Sequence, residues 1–188
     1  MLLNAYQALE RARFDEAQSL YLQALRSEPR NVDALLGLAA ISLQQNNAEA
    51  ASKYYLQVLE YDPRNSLAQA GLIGLLGRAD PAGAETRLRQ LLAREPSAFL
   101  YFTLGNLYAD QSQWAQAQAA YYQAHALQPD NPDYAYNLAV GLERLSQPRI
   151  ALDFYRKAAQ LARDRGHANF DVAVAQTRIR KLEAAARE

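Results

Sequence analysis

The two histidines of this 188-residue chain, His125 and His167, are its only side chains that ordinarily titrate near neutral pH. His125 follows Ala124 inside an apolar-periodic run, where a satisfied packing role is expected. His167 follows Gly166, a pairing that reads as a turn. No HExxH, glycine-rich phosphate loop or GxSxG occurs. The chain has no cysteine, which rules out disulfides and thiolate metal sites. Neighbouring carboxylates such as Asp15 with Glu16, and Glu60 with Asp62, fall near expected helix ends on solvated faces, with no environment to push their pKa values apart. No catalytic residue, metal ligand or cofactor is assigned, and the chain reads as a non-enzyme. The side chains whose types do suggest chemistry suit binding. Phe99, Phe102, Thr103 and Asn106 form one set, and Tyr136, Asn137, Val140 and Arg144 a second. They offer aromatic surface, and amides that give a peptide main chain both a donor and an acceptor.

Composition narrows the partners. Half the residues are hydrophobic, and 20 Lys and Arg balance 20 Asp and Glu. Binding to nucleic acid needs clustered positive charge, and the mildly basic end (Arg178, Arg180, Lys181) is interleaved with Glu183 and Glu188. The partner is therefore expected to be a protein or peptide, with no nucleic acid. The longest apolar stretch, around 34–43, is far shorter than the ~18 residues a membrane span needs, so direct membrane insertion is not expected. The opening MLLNAYQALERARFDEA lacks the basic start and long apolar run of a secretion signal and reads as helix. A trimmed fragment of a longer protein fits it as well as a complete chain.

The elements that position these residues repeat. Ala17, Ala51, Ala84, Ala117 and Ala151 are spaced by 34, 33, 33 and 34 residues. Four residues after each stands Tyr21, Tyr55, Leu88, Tyr121 or Tyr155; three further on comes Ala24, Val58, Leu91, Ala124 or Ala158. Offsets of four and three define one face of a helix. Pro29, Pro63, Pro96 and Pro129 then end that helix, whereas the fifth copy has Arg163. A preceding helix repeats Leu38-Ala39 as Leu72-Ile73, Leu104-Gly105 and Leu138-Ala139. The small second residue lets its partner helix come close. Asn31, Asn65 and Asn131 stand where they can cap these helices, and Pro132 and Asp80-Pro81 carry further start signals. The spacing predicts helices over 2–11, 14–27, 31–44, 48–61, 65–77, 81–94, 98–111, 114–127, 132–145 and 148–162, with a last helix over 170–187. Gly71, Gly74 and Gly77 are expected to weaken the fifth.

This pattern resembles the tetratricopeptide repeat family, most closely at Leu104-Gly105-Asn106-Leu107-Tyr108, Trp114, Ala117, Tyr121, Ala124 and Pro129. The resemblance implies an all-α, right-handed α-solenoid of five helical hairpins plus a C-terminal capping helix. It reads as one repeat domain over 1–188, with repeats near 1–29, 30–63, 64–96, 97–129 and 130–163. It also implies that the first helices line a concave groove. In that stripe stand Asp33, Leu36, Gly37 and Ala40; Leu67, Ala70, Gly71 and Gly74; Phe99, Phe102, Thr103, Asn106 and Asp110; and Asp133, Tyr136, Asn137, Val140 and Arg144. The N-terminal half therefore reads as small and smooth, the C-terminal half as aromatic. Family members that clamp a chaperone's C-terminal carboxylate carry Lys or Arg where this chain has Leu36, Ala70 and Gly71, so that activity is not expected. The reading is a non-enzymatic scaffold or adaptor that binds a peptide or helix in its groove; the alternative is a self-assembling, homo-oligomeric spacer. The stretch from Gly105 to Tyr155 is also similar to repeat tails of Gram-negative pilus-assembly and secretion-system proteins, including mannose-sensitive pilus biogenesis proteins. That likeness implies a periplasmic location for a fragment of an envelope protein, and a cytoplasmic one otherwise. Finally, Val172, Ala175, Ile179, Leu182 and Ala186 form one apolar stripe, the expected inner face of the cap.

Overall fold

Several helices start where a side chain takes up their orphan amides. The carboxamide oxygens of Asn31, Asn65 and Asn131 accept from the N–H groups of Ala34 (2.9 Å), Ala68 (3.0 Å) and Asp133 (2.9 Å). Asp80 does the same for Gly83, with Pro81 in the first turn. The computed structural model describes residues 1–77 and 80–185, and among them eleven helices and no strand form. They are α1 (Leu2–Glu10), α2 (Phe14–Ser27), α3 (Val32–Gln44), α4 (Ala48–Tyr61), α5 (Ser66–Leu76), α6 (Pro81–Arg94), α7 (Ala98–Asp110), α8 (Trp114–Leu127), α9 (Pro132–Arg144), α10 (Pro148–Arg165) and α11 (Val172–Ala185). The fold class is an all-α solenoid of helical hairpins, as the repeat implied.

In hairpins one, two, four and five the reversal is the same local device. Ala12, Asn46, Ser112 and Ser146 all take positive φ, between 54° and 59°. One residue later an N–H reaches back to a carbonyl five positions earlier: Arg13 to Ala8, Asn47 to Ser42, Gln113 to Tyr108 and Gln147 to Leu142, at 2.8–3.0 Å. This left-handed closure satisfies the last carbonyls of the first helix. Asparagine suits it, whereas alanine and serine occupy it at a steric cost. The matching position of hairpin three lies outside the described residues.

The chain divides into two compact units, Met1–Leu76 and Gly77–Glu188. The boundary falls at the end of α5, so the two helices of the third hairpin lie in different units. In the first unit, Ala5, Ala8, Ala17, Tyr21, Ala24, Ala34, Leu38 and Ile41 form one core cluster. Leu35, Ala39, Ala51, Tyr55, Val58 and Ala68 form the next. Here the structure corrects the reading of the glycines. A Cβ on Gly37 would overlap the Tyr21 ring, and one on Gly71 the Tyr55 ring. These glycines make room for the aromatic residue of the preceding hairpin, and α5 forms with Gly71 inside it.

In the second unit Tyr108 joins α6 to α7: its hydroxyl donates to Glu85 (2.7 Å) and accepts from Arg89 (2.8 Å). The hydrogen bond from Tyr108, together with Arg89, holds the Glu85 carboxyl below its usual range. With no proline near residue 163, α10 runs to Arg165, three residues beyond expectation, and stops at Gly166, whose φ of 82° suits glycine. The last helix starts after Asp171, which caps Ala173 at 2.8 Å. Ala175 is fully buried against α10, and Val172, Ile179 and Leu182 are half-buried, while Ala186 lies outside the described residues.

Candidate binding site

The residues singled out from sequence all belong to the second unit, on α7 and α9, and most of them have a specific partner within the fold. Phe102 sits in a nest of rings, 5.8 Å from Tyr121 and 4.9 Å from Tyr134, so its packing is toward hairpin five. Phe99 is half-buried. Thr103 is only 8% exposed and donates to the Phe99 carbonyl at 2.9 Å; it serves its own helix and has little surface for a ligand. Val140 is half-buried. Arg144 lies over the Trp114 ring, 5.1 Å from its centroid, a cation–π pairing that fixes the guanidinium beside α8.

The two amides are oriented in opposite senses. Asn106, which is exposed, accepts the Tyr121 hydroxyl on Oδ1 (2.9 Å), which leaves its Nδ2 as a donor. Asn137 donates from Nδ2 to the Asp133 carbonyl (2.9 Å), which leaves its Oδ1 as an acceptor. The pair thus offers one donor and one acceptor, the complement of a peptide group.

Tyr136 already has an occupant. The Phe170 ring stacks on it, 4.2 Å between centroids and 2° from parallel, and Tyr155 meets it edge-on at 5.6 Å. Beside it the Asp133 carboxylate, 8% exposed, accepts from the Asn169 main-chain N–H (2.7 Å) and Nδ2 (2.8 Å). Burial pushes this carboxyl above its usual range, and the Asn169 main-chain N–H opposes the shift. The segment from Gly166 to Asp171 is thus a strap laid over the start of α9. The sequence predicts a terminal helix capping hairpin five but not this strap, because Asn169 and Phe170 lie outside any apolar periodicity.

The histidines have no catalytic geometry. His125 is buried edge-on against Phe154, 5.4 Å between centroids, with Nε2 2.8 Å from the Lys157 ammonium. Lysine donates there, so the neutral ring carries its proton on Nδ1, where nothing receives it. Burial, then Lys157, pulls its pKa below the ordinary 6.5. The folded state therefore binds fewer protons than the unfolded one. Stability is full above about pH 6.5 and falls as pH drops through the lower folded value. Thermal melts of the wild type should lose midpoint between pH 7 and 5, and His125→Gln should remove part of that slope. Among the described residues no group of three or more His, Asp or Glu could hold a metal, and no helix is long and apolar enough to cross a membrane.

The first unit presents a different surface. A cavity of about 500 Å³ opens between α1 and α3, walled by Leu2, Leu3 and Tyr6 on one side and Leu36 and Ala40 on the other; Tyr21 and Asp33 also line it. The sequence predicts a small and smooth surface in this half. The α3 residues are indeed small, but the α1 side chains build a wall that the repeat pattern, weak in hairpin one, does not reveal.

Tetratricopeptide repeat models match residues 8–74 and 102–165, together more than half of the chain. No curated protein matches it by sequence. Among solved structures, the tetratricopeptide protein TTC0263 of Thermus thermophilus is similar with a TM-score of 0.74 and 23% identity, over 97% of both chains. PilW, a type IV pilus biogenesis factor, gives a TM-score of 0.63 and 19% identity, over 97% of this chain and 89% of PilW. A Thermobaculum terrenum O-GlcNAc transferase gives 0.56 and 28%, over 71% of this chain but 26% of the transferase.

Proposed function

This chain belongs to the tetratricopeptide repeat family, whose repeats mark protein–protein interaction scaffolds, and from that premise we propose that it is a non-enzymatic adaptor holding a peptide or helix of its partner along α7 and α9. The observation that supports this reading is the opposed pair of amides. Asn106 is held through its oxygen, which leaves a donor, and Asn137 through its amide nitrogen, which leaves an acceptor, on helices that also carry the half-buried Phe99, Phe102 and Val140. Rigid polar groups set in apolar surface lose little entropy on binding. They read a main chain, while the apolar neighbours read its side chains. The likeness to PilW, a type IV pilus biogenesis factor, supports placing the partner in a pilus assembly.

Asn106→Asp tests it. The variant keeps an acceptor for the Tyr121 hydroxyl and replaces only the outward donor. With a fluorescent peptide selected by display on the wild-type protein, anisotropy should report roughly ten-fold weaker binding for Asn106→Asp, which lacks the outward donor, and for Asn137→Ala, which lacks the outward acceptor, the cost of an unmet hydrogen bond. Gln116→Ala, on the exposed side of α8, should bind as the wild type does. Equal losses from all three, or none from the two amide variants, would count against a site on these helices.

A further inference from the structure

The cavity between α1 and α3 lies in the other unit and is not used by the reading above. Building on that reading of the chain as a segment-binding scaffold, we propose that this cavity is a second docking site, for a peptide segment that presents a large apolar side chain beside a basic one. Three observations converge on that occupant.

First, the walls are apolar and open. Leu3 is 66% exposed and Tyr6 54%, side by side on α1 and opposite Leu36 and Ala40. About 500 Å³ is within the range of cavities that take up ligands. Contiguous apolar surface of this kind marks an interaction site more often than isolated exposed residues do.

Second, the charge is of one sign. Among the described residues that line the cavity, Asp33 is the only acidic one, and none is a lysine or arginine. The Tyr21 phenol is pushed up by burial first, and then by Tyr6, Asp33 and Glu10, which places a second carboxylate within electrostatic reach. An apolar ligand seated here would desolvate Asp33, and an unpaired carboxylate resists that. A ligand carrying a cation meets the need, whereas an acidic segment is repelled.

Third, the chain itself shows the pairing elsewhere. Counting along the repeat, Asp33 and Leu36 of α3 hold the same positions as Asp133 and Tyr136 of α9. On α9 the aspartate takes two N–H donors from Asn169, and the residue three places on takes the Phe170 ring. A donor on the aspartate and a ring on its neighbour are therefore what this register accommodates.

The probe is a capped peptide of about twelve residues combining phenylalanine and leucine with lysines, measured by fluorescence anisotropy beside a twin with glutamine for each lysine. The wild-type chain should bind the lysine peptide roughly ten-fold more tightly than its twin. Asp33→Asn should bring the two to parity without weakening the twin. Leu3→Ser with Tyr6→Ser should weaken both peptides by roughly ten-fold, and circular dichroism should show unchanged folding because both residues are exposed. Asn106→Asp should leave these affinities as they are, so failure here is distinguishable from failure of the site on α7 and α9. Equal affinities for the two peptides in the wild type, a lysine preference that survives Asp33→Asn, or no binding by either peptide would overturn the proposal.

Discussion

Replacing Ala117 with arginine should abolish the cooperative melt of the second unit near the wild-type temperature. Ala117 is fully buried on α8, in the register that recurs as Ala17, Ala51 and Ala151, each also fully buried. Its neighbours leave no room: Tyr121, 2% exposed, closes the same face, and its ring fills the space where Gly105 lacks a Cβ. Arginine adds volume to a packed seam and a charge with no partner there. The two effects together cost on the order of 4 kcal/mol or more. That is a large share of the roughly 5–15 kcal/mol that holds an ordinary domain folded. Gln116→Arg is the matched control, since the same charge one residue earlier stands in water and should change stability by about 0.5 kcal/mol or less. Circular dichroism melts of the two variants decide it; a wild-type melt for Ala117→Arg would mean that the register assigned to α8 is wrong.

The second large effect is expected at the strap. Changing Asn169 and Phe170 together to alanine removes the stacked ring from Tyr136 and one of the two donors from the buried Asp133 carboxylate. The ring pair contributes about 1 kcal/mol beyond its buried area, and a hydrogen bond to a charged group about 1.5–3 kcal/mol. A loss of about 3 kcal/mol should follow, and the melting midpoint should fall by roughly 5–10 °C. Asp133→Asn with Asn169 intact should lose less, because no buried charge is left behind. Removing residues 166–188 should cost more than the double variant and should promote aggregation, since it also uncovers the α10 face on which Ala175 packs. A double variant as stable as the wild type would show that the strap is not part of the folded core. If the same variant bound the selected peptide more tightly, the strap would also be shielding the face of α9.

Much of this architecture was legible from spacing alone. A recurring small residue, a large one four later and a proline twelve later define the second helices, and α2, α4, α6 and α8 have the expected bounds to the residue. Regularity of that kind is read easily because each hairpin solves the same packing problem. What escaped was where the pattern breaks for a local reason. Gly37 and Gly71 read as groove surface from their helical positions, yet a neighbouring tyrosine ring occupies the space their missing side chains leave, a contact that no single-helix periodicity encodes. The strap escaped because its effect depends on two side chains in a non-periodic stretch meeting α9 more than thirty residues earlier. The residues proposed for the site were legible as types but not as states: Thr103 is spent on its own helix and Arg144 on Trp114, whereas Asn106 uses its oxygen and Asn137 its amide nitrogen within the fold.

The local closure of each hairpin has a kinetic consequence. The bonds from Arg13 to Ala8 and from Gln147 to Leu142 form within six-residue windows, and tyrosine rings meet helices of their own or the next repeat. Little chain entropy is lost before a contact rewards it, so each hairpin can assemble soon after its residues leave the ribosome. Hairpin five is the exception. Asp133 waits for Asn169, 36 residues later, and until that residue arrives the start of α9 carries an uncovered carboxylate and a bare aromatic face. The strap, made 36 residues after the aspartate it covers, is thus a latch on hairpin five, and the interval before it closes is when α9 is open to other chains.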